Sequence, residues 1–124
     1  MMEYRQQIRV RYGECDLQGV VFNANYLVYV DDVIEQWLES ALESAPFDYM
    51  VKKVLVEWDA PARRSDLVDL TAAVTRWGRT SFDITVRGEV AGRSIFTAVL
   101  TAISVTPGTH KPTPVPDEVR ARLG

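Results

Sequence analysis

A single cysteine, a single histidine and a small net charge close off several functions before any motif is considered. With Cys15 alone, the 124-residue chain can form no internal disulfide framework. His110 stands among Pro107, Pro112 and Pro114, a setting that suits a solvated loop histidine rather than a catalytic base. No serine elbow and no metal-ligand spacing occurs. The formal charge of -3 comes without a basic arm, which argues against nucleic acid and anionic membranes as partners. Neither a signal-peptide pattern nor an apolar run of membrane-spanning length is found, and the expected location is cytoplasmic. The length suits one domain over residues 1–124, with a real core and scope for self-association.

What is present reads as a strand, a long helix and four more strands. Tyr4 to Tyr12 alternates, with Ile8, Val10 and Tyr12 on one face and Arg9 and Arg11 on the other. Continued, that register places Glu14 and Asp16 on the apolar side. Gly19 marks a turn, and Asn23 has the chemistry of a helix N-cap, with Phe22 and Leu27 placed as a hydrophobic staple. From about Ala24 to Ala45, Tyr26, Val30, Val33, Ile34, Trp37, Leu38 and Ala41 recur at helical spacing and leave Asp31, Glu35 and Glu39 to water or a partner. Pro46 ends the helix.

Strand character returns at Val51 to Ala60, Leu67 to Trp77, Thr80 to Val90 and Arg93 to Val105, with Gly78 and Ala91–Gly92 as the turns of an antiparallel meander. Prolines from Pro107 to Pro116 then precede an amphipathic tail, Asp117 to Leu123. The order predicts an α+β fold in which a five-stranded antiparallel sheet packs on one long helix. Its open edges favour pairing between copies.

The chemically suggestive stretch is YGECDLQGVVFNANYLVY, residues 12–29. A carboxylate seven residues ahead of a free helix N-terminus makes a minimal site for an activated carbonyl. The helix end offers N–H groups and positive potential to an oxyanion, and the carboxylate serves as base or nucleophile. An aspartate beside a glycine turn is, on residue chemistry alone, more often a turn residue. Glu14 is the rival carboxylate, better read as a partner for nearby arginines, and Cys15 reads as a small core residue.

Motif and element order together resemble the hotdog fold, and within it the 4-hydroxybenzoyl-CoA thioesterase-like acyl-CoA thioesterases, from about Tyr4 to Val105. The most specific match is RYGECDLQGVVFNANYLVYVDD; WDAPARRSDLV and RWGRTSF follow in the family's order. Ser65 departs from the family's usual glycine, and Asn23 stands where many relatives carry histidine or an aromatic. The dehydratase branch carries a helix histidine, and no histidine precedes His110 here, which disfavours dehydration.

The resemblance implies hydrolysis of an acyl-CoA by a homodimer or homotetramer, with no cofactor beyond the CoA of the substrate. It implies that Asp16 is the catalytic carboxylate and that the backbone N–H of Asn23 polarises the thioester carbonyl. Gly19, Val20 and Tyr26 are the implied substrate contacts around the acyl group, although Tyr26 and Tyr29 fit the core equally well. Arg79, Thr80 and Ser81 are the implied contacts to the phosphates and pantetheine arm, with Arg63 and Arg64 as a second basic patch. Two other functions fit the same residues: release of an acyl chain from a carrier protein, and acyl-CoA binding without catalysis.

Overall fold

The computed structural model describes residues 2–124. The chain forms β1 (Tyr4–Arg9), α1 (Asn25–Leu42), β2 (Asp48–Trp58), β3 (Leu67–Trp77), β4 (Ser81–Val90), β5 (Arg93–Val105) and α2 (Asp117–Leu123). The strands make one five-stranded antiparallel sheet in the order β1-β3-β4-β5-β2. The meander of β3, β4 and β5 is the one expected. β1 closes on β3, and β2 lies at the opposite edge against β5. This is the hotdog arrangement, with α1 held against one face of the sheet.

Alternation decides which sheet residues meet the helix. Phe82, Ile84 and Val86 of β4, with Phe96, Ala98, Leu100 and Ala102 of β5, are buried in one cluster with Tyr26, Val30, Val33, Ile34 and Trp37 of α1. Asp31, Glu35 and Glu39 are exposed, as the helical spacing requires. The ring of Phe96 lies over Gly88, where an added Cβ would sit 2.3 Å from the ring. From there it packs edge-on against Tyr26, with centroids 5.2 Å apart. At the β4–β5 hairpin, Ala91 and Gly92 have φ of 50° and 79°, the conformation of a type I′ turn.

Several expected boundaries move, each for a local reason. β1 stops at Arg9, and Tyr12–Glu14 coils into a 3-10 turn closed by Arg11 and Glu14. The coil breaks the alternation, so Tyr12 is 76% exposed, Asp16 does not continue on the apolar side, and the half-buried Cys15 packs against the core instead. Asn23 is not the N-cap. Ala24 holds that position with φ -65° and ψ -24°, and no side chain caps the helix. Phe22 and Leu27 are both exposed, so the staple does not form. The helix ends at Leu42 rather than near Ala45, with Glu43 turned to φ 53°, and β2 starts earlier than expected, at Asp48. Among the described residues, no helix is long and apolar enough to cross a membrane.

Candidate active site

The segment between β1 and α1 is tied into a hairpin-like loop. The Asp16 N–H donates to Val20 O at 2.9 Å, and the Gly19 N–H donates to Asp16 O at 3.0 Å. Gly19, at φ 77°, closes a three-residue loop whose last position is left-handed, which a residue without a Cβ adopts at least cost. Asp16 is exposed, and its Oδ1 accepts the Gln18 N–H at 2.8 Å. One carboxylate oxygen therefore serves the turn, as the residue chemistry alone suggested. Oδ2 has no protein partner among the described residues.

Beyond the loop, the Val21 N–H donates to Ala62 O and the Phe22 N–H to Glu14 O, both at 2.9 Å. The chain then turns once before the helix, with the Asn25 N–H reaching Phe22 O at 2.8 Å. The Tyr26 and Leu27 N–H groups donate to Asn23 O and Ala24 O at 3.3 and 3.1 Å. This leaves the N–H groups of Asn23 and Ala24 without an acceptor among the described residues. They are free donors at the positive end of an 18-residue helix.

Glu14 lies beneath this loop with its side chain 14% exposed, paired with Arg11 at 2.6 Å and accepting the Tyr29 hydroxyl at 2.8 Å. Burial alone would raise its pKa; the bonds from Arg11 and Tyr29 outweigh that effect and hold it below its ordinary value. The Tyr29 phenol is pushed well above its ordinary pKa, first by burial and then by its bond to Glu14. Glu14 is thus the arginine partner expected.

Asp16 opens on a cleft of about 630 Å³ bounded also by Tyr12, Cys15, Leu17, Gly19 and Arg64. The Arg64 guanidinium stacks 5.3 Å from the centre of the Tyr12 ring and makes no ion pair or hydrogen bond with another side chain among the described residues. Val20 is half-buried and bridges to Arg63, so the basic loop after β2 is held against the Asp16 loop. No group of three His, Cys, Asp or Glu side chains among the described residues is arranged to hold a metal ion.

Other expected contacts lie elsewhere. Arg79, Thr80 and Ser81 are at the far end of the sheet: β3 starts at Leu67 beside Arg9 and ends at Trp77, roughly 33 Å away at the usual strand rise. There the Thr80 carbonyl accepts the Ser104 N–H, the Arg79 carbonyl accepts the Val115 N–H, and Ser81 Oγ accepts from Arg76. Within the chain they do not meet Asp16. Tyr26 is 2% exposed, beneath the site rather than in the cleft wall, and its hydroxyl accepts the Ala62 N–H at 3.0 Å. It thereby steadies the carbonyl that receives Val21. Asn25 received no role from the sequence, yet its Nδ2 donates to Glu14 O at 2.9 Å. No spacing rule signals that bond, because the 3-10 turn creates it.

The loop that carries Arg64 is strained. Ser65 has φ 70°, in the region that costs an L-residue about 1–2 kcal/mol, while its N–H donates to Val10 O at 3.0 Å. Set against glycine's greater unfolded-state entropy, Ser65→Gly is expected to stabilise the protein by about 0.5–1 kcal/mol with turnover unchanged. Urea titration of both forms measures this. A loss of stability would mean that the Ser65 side chain supports the loop.

Residues 10–123 match the family model of the thioesterase-like superfamily. The acyl-CoA thioester hydrolase YbgC of Escherichia coli O157:H7 is 28% identical over 127 residues, spanning 97% of this chain and 95% of its own. Among solved structures, Slr0204, a 1,4-dihydroxy-2-naphthoyl-CoA thioesterase from Synechocystis, superposes with a TM-score of 0.85 at 17% identity over 98% of this chain and 96% of its own. The gentisyl-coenzyme A thioesterase BH1999 gives 0.84 at 20% identity over 98% of this chain and all (100%) of its own. At these identities the structural likenesses establish the fold, while the family match covers nearly every residue from the site loop to α2. The chain belongs to the thioesterase-like superfamily.

Proposed function

We propose that this thioester hydrolase cleaves an acyl-CoA to a carboxylic acid and free CoA, with Asp16 as base or nucleophile and the Asn23 N–H as oxyanion donor. The observation that carries the reading is that one hydrogen-bonded segment holds both an unengaged carboxylate oxygen and two free helix N–H groups, while the cleft that Asp16 lines does not include Asn23 or Ala24. The thioester oxygen gains charge as the carbonyl is attacked, and preorganised amides aimed at that charge lower the barrier. Asp16 Oδ2 either takes a proton from water or attacks the carbonyl to give a mixed anhydride that water then opens. The departing thiol has a pKa near ~8.5, so it leaves as thiolate without a strong acid. The YbgC relative, an acyl-CoA thioester hydrolase, supports the same substrate class.

The working unit is a homodimer or a tetramer built from it. β2 is an edge strand with Met50, Val51, Val54, Leu55 and Trp58 between 37% and 52% exposed, an edge that a monomer would leave open to aggregation. A groove lined by Leu27 and Val28 of α1 and by Val51 and Val54 of β2 runs beside it. Antiparallel pairing of β2 with its copy about a two-fold axis covers this groove and extends the sheet. The same axis reverses the partner's sheet, turning its Arg79–Ser81 end toward the end of the molecule where Asp16 lies. Arg64 then meets an anionic part of the substrate from within the protomer. The protein's place is the cytoplasm, where CoA esters are made and used.

Release of free thiol from acetyl-, lauroyl- and benzoyl-CoA, from the matching pantetheine esters and from acyl-carrier protein tests the reading. Acyl-CoA should turn over fastest. Arg64→Ala should lower kcat/KM about tenfold for full CoA esters, the worth of a charge-assisted contact of about 1.5 kcal/mol, and less for pantetheine esters. Preference for the carrier protein would move the substrate to that class. Tight acyl-CoA binding with no thiol release would make the protein a binder.

A further inference from the structure

We propose that Glu14 is a positioning residue for the reaction: it sets the separation between the Asp16 carboxylate and the free N–H groups of Asn23 and Ala24, an inference that rests on the function proposed above. Asp16 and the helix amides belong to two pieces of chain joined through a loop tip with no packing of its own, since Leu17 at that tip is fully exposed. Glu14 bonds to both pieces. Its carbonyl accepts the Phe22 N–H and Asn25 Nδ2, each at 2.9 Å, which holds the turn leading into α1. Its carboxylate accepts the Arg11 N–H at 2.9 Å, Arg11 Nε at 3.0 Å and the Tyr29 hydroxyl at 2.8 Å, which holds the 3-10 turn against the second turn of α1.

Asp16 follows two residues later, so its backbone cannot shift against the helix N-terminus without straining these bonds. Both Glu14 oxygens are engaged, Oε1 by the Arg11 N–H and Tyr29 and Oε2 by the guanidinium. That commitment suits a clasp and not a base. The lowered pKa of Glu14 and the raised pKa of Tyr29 keep acceptor and donor in the states the clasp needs. A misplacement of about 1 Å in a reacting pair can cost about a hundredfold in rate, so a residue that touches no substrate can still govern turnover.

The test uses the full-length protein and whichever of acetyl-, lauroyl- and benzoyl-CoA turns over fastest, with melting curves for every variant. Glu14→Ala should lower kcat about 30- to 100-fold and move KM less than about threefold. Tyr29→Phe, which loses one bond, should lower kcat about three- to tenfold, and the double variant should be no worse than Glu14→Ala because Tyr29 acts through Glu14. Glu14→Gln keeps an oxygen for Tyr29 and Arg11, and should return kcat to within about fivefold of the parent.

A folded Glu14→Ala with parental kcat overturns the proposal, as does a loss carried by KM. Glu14→Gln as inactive as an Asp16 variant would make Glu14 itself the reacting carboxylate and equally overturn it. Should Glu14→Ala fail to fold, Tyr29→Phe decides, and unchanged kcat there counts against the clasp. Retained activity in Asp16→Asn would instead strike the proposed function, whatever Glu14 does.

Discussion

Asp16→Asn is expected to lower kcat for acyl-CoA hydrolysis by about 10²–10⁴-fold, the contribution of a carboxylate acting as base in the transition state. The melting temperature should stay where it is. The proposed function gives Asp16 a second task beside its turn bond, and this variant separates the two. Oδ1 accepts the Gln18 N–H at 2.8 Å, and the amide oxygen of asparagine takes that bond without moving the loop. Oδ2, which has no protein partner among the described residues, is the oxygen that the proposed reaction uses, and there the negative charge is lost.

Asp16→Ala removes both tasks, so it should lose activity and also about 1 kcal/mol of stability with the missing turn bond. Even the low end of the expected loss corresponds to about 2.7 kcal/mol of barrier, well beyond what repacking of an exposed loop provides. Initial rates at saturating substrate, scored by thiol release, give the answer. An asparagine variant that hydrolyses as fast as the parent would leave Asp16 with the turn alone.

Much of the fold was legible because two periodicities rarely mislead over long segments. The bounds of β3 and β5 are those expected, residue for residue, since each runs between turn signals the chain states openly: the loop after Pro61, Gly78 and Ala91–Gly92. The helix stripe from Tyr26 to Leu38 is the core stripe observed. What escaped reading are short-range choices between near-equal conformations. Tyr12 continues an alternating pattern, yet Arg11 and Glu14 close a 3-10 turn across it, and the face assigned to Asp16 fails with it.

Asn23 has the chemistry of a cap but stands one residue too early, because the Phe22 carbonyl takes the Asn25 N–H and delays the helix. Distance across the sheet was also hidden. Arg79 and Arg64 flank the same strand in sequence, and only the antiparallel register shows that β3's length separates one of them from Asp16 while the other lines its cleft. For Asp16 itself, turn chemistry explains where it sits, and the role that the resemblance implies belongs to the proposed function.

Asn23→Pro is expected to lower kcat by about 10²–10³-fold, the cost of deleting one oxyanion donor, while Asn23→Ala stays near the parental rate. The pair separates a main-chain role from a side-chain role, because alanine keeps the N–H and proline does not. The turn is suited to this substitution. Asn23 is the second residue of the four from Phe22 to Asn25, closed at 2.8 Å, and Ala24 at φ -65° and ψ -24° fits a type I turn, in which proline is favoured at that second position.

The N–H removed from Asn23 donates to nothing among the described residues, and the Asn23 carbonyl that accepts the Tyr26 N–H is retained. Phe22 follows the bridge of Cys15 with Val21 and adds its own N–H bond to Glu14, and a residue ahead of proline is favoured outside the helical region. Stability should therefore hold or rise by up to about 1 kcal/mol, since proline narrows the unfolded ensemble. A loss of rate in so well-folded a variant points to the missing amide, and the Ala24 N–H that remains accounts for residual turnover. If Asn23→Pro keeps kcat within about threefold of the parent, the carbonyl must be polarised elsewhere. If Asn23→Ala falls as far as the proline variant, the working group is the carboxamide.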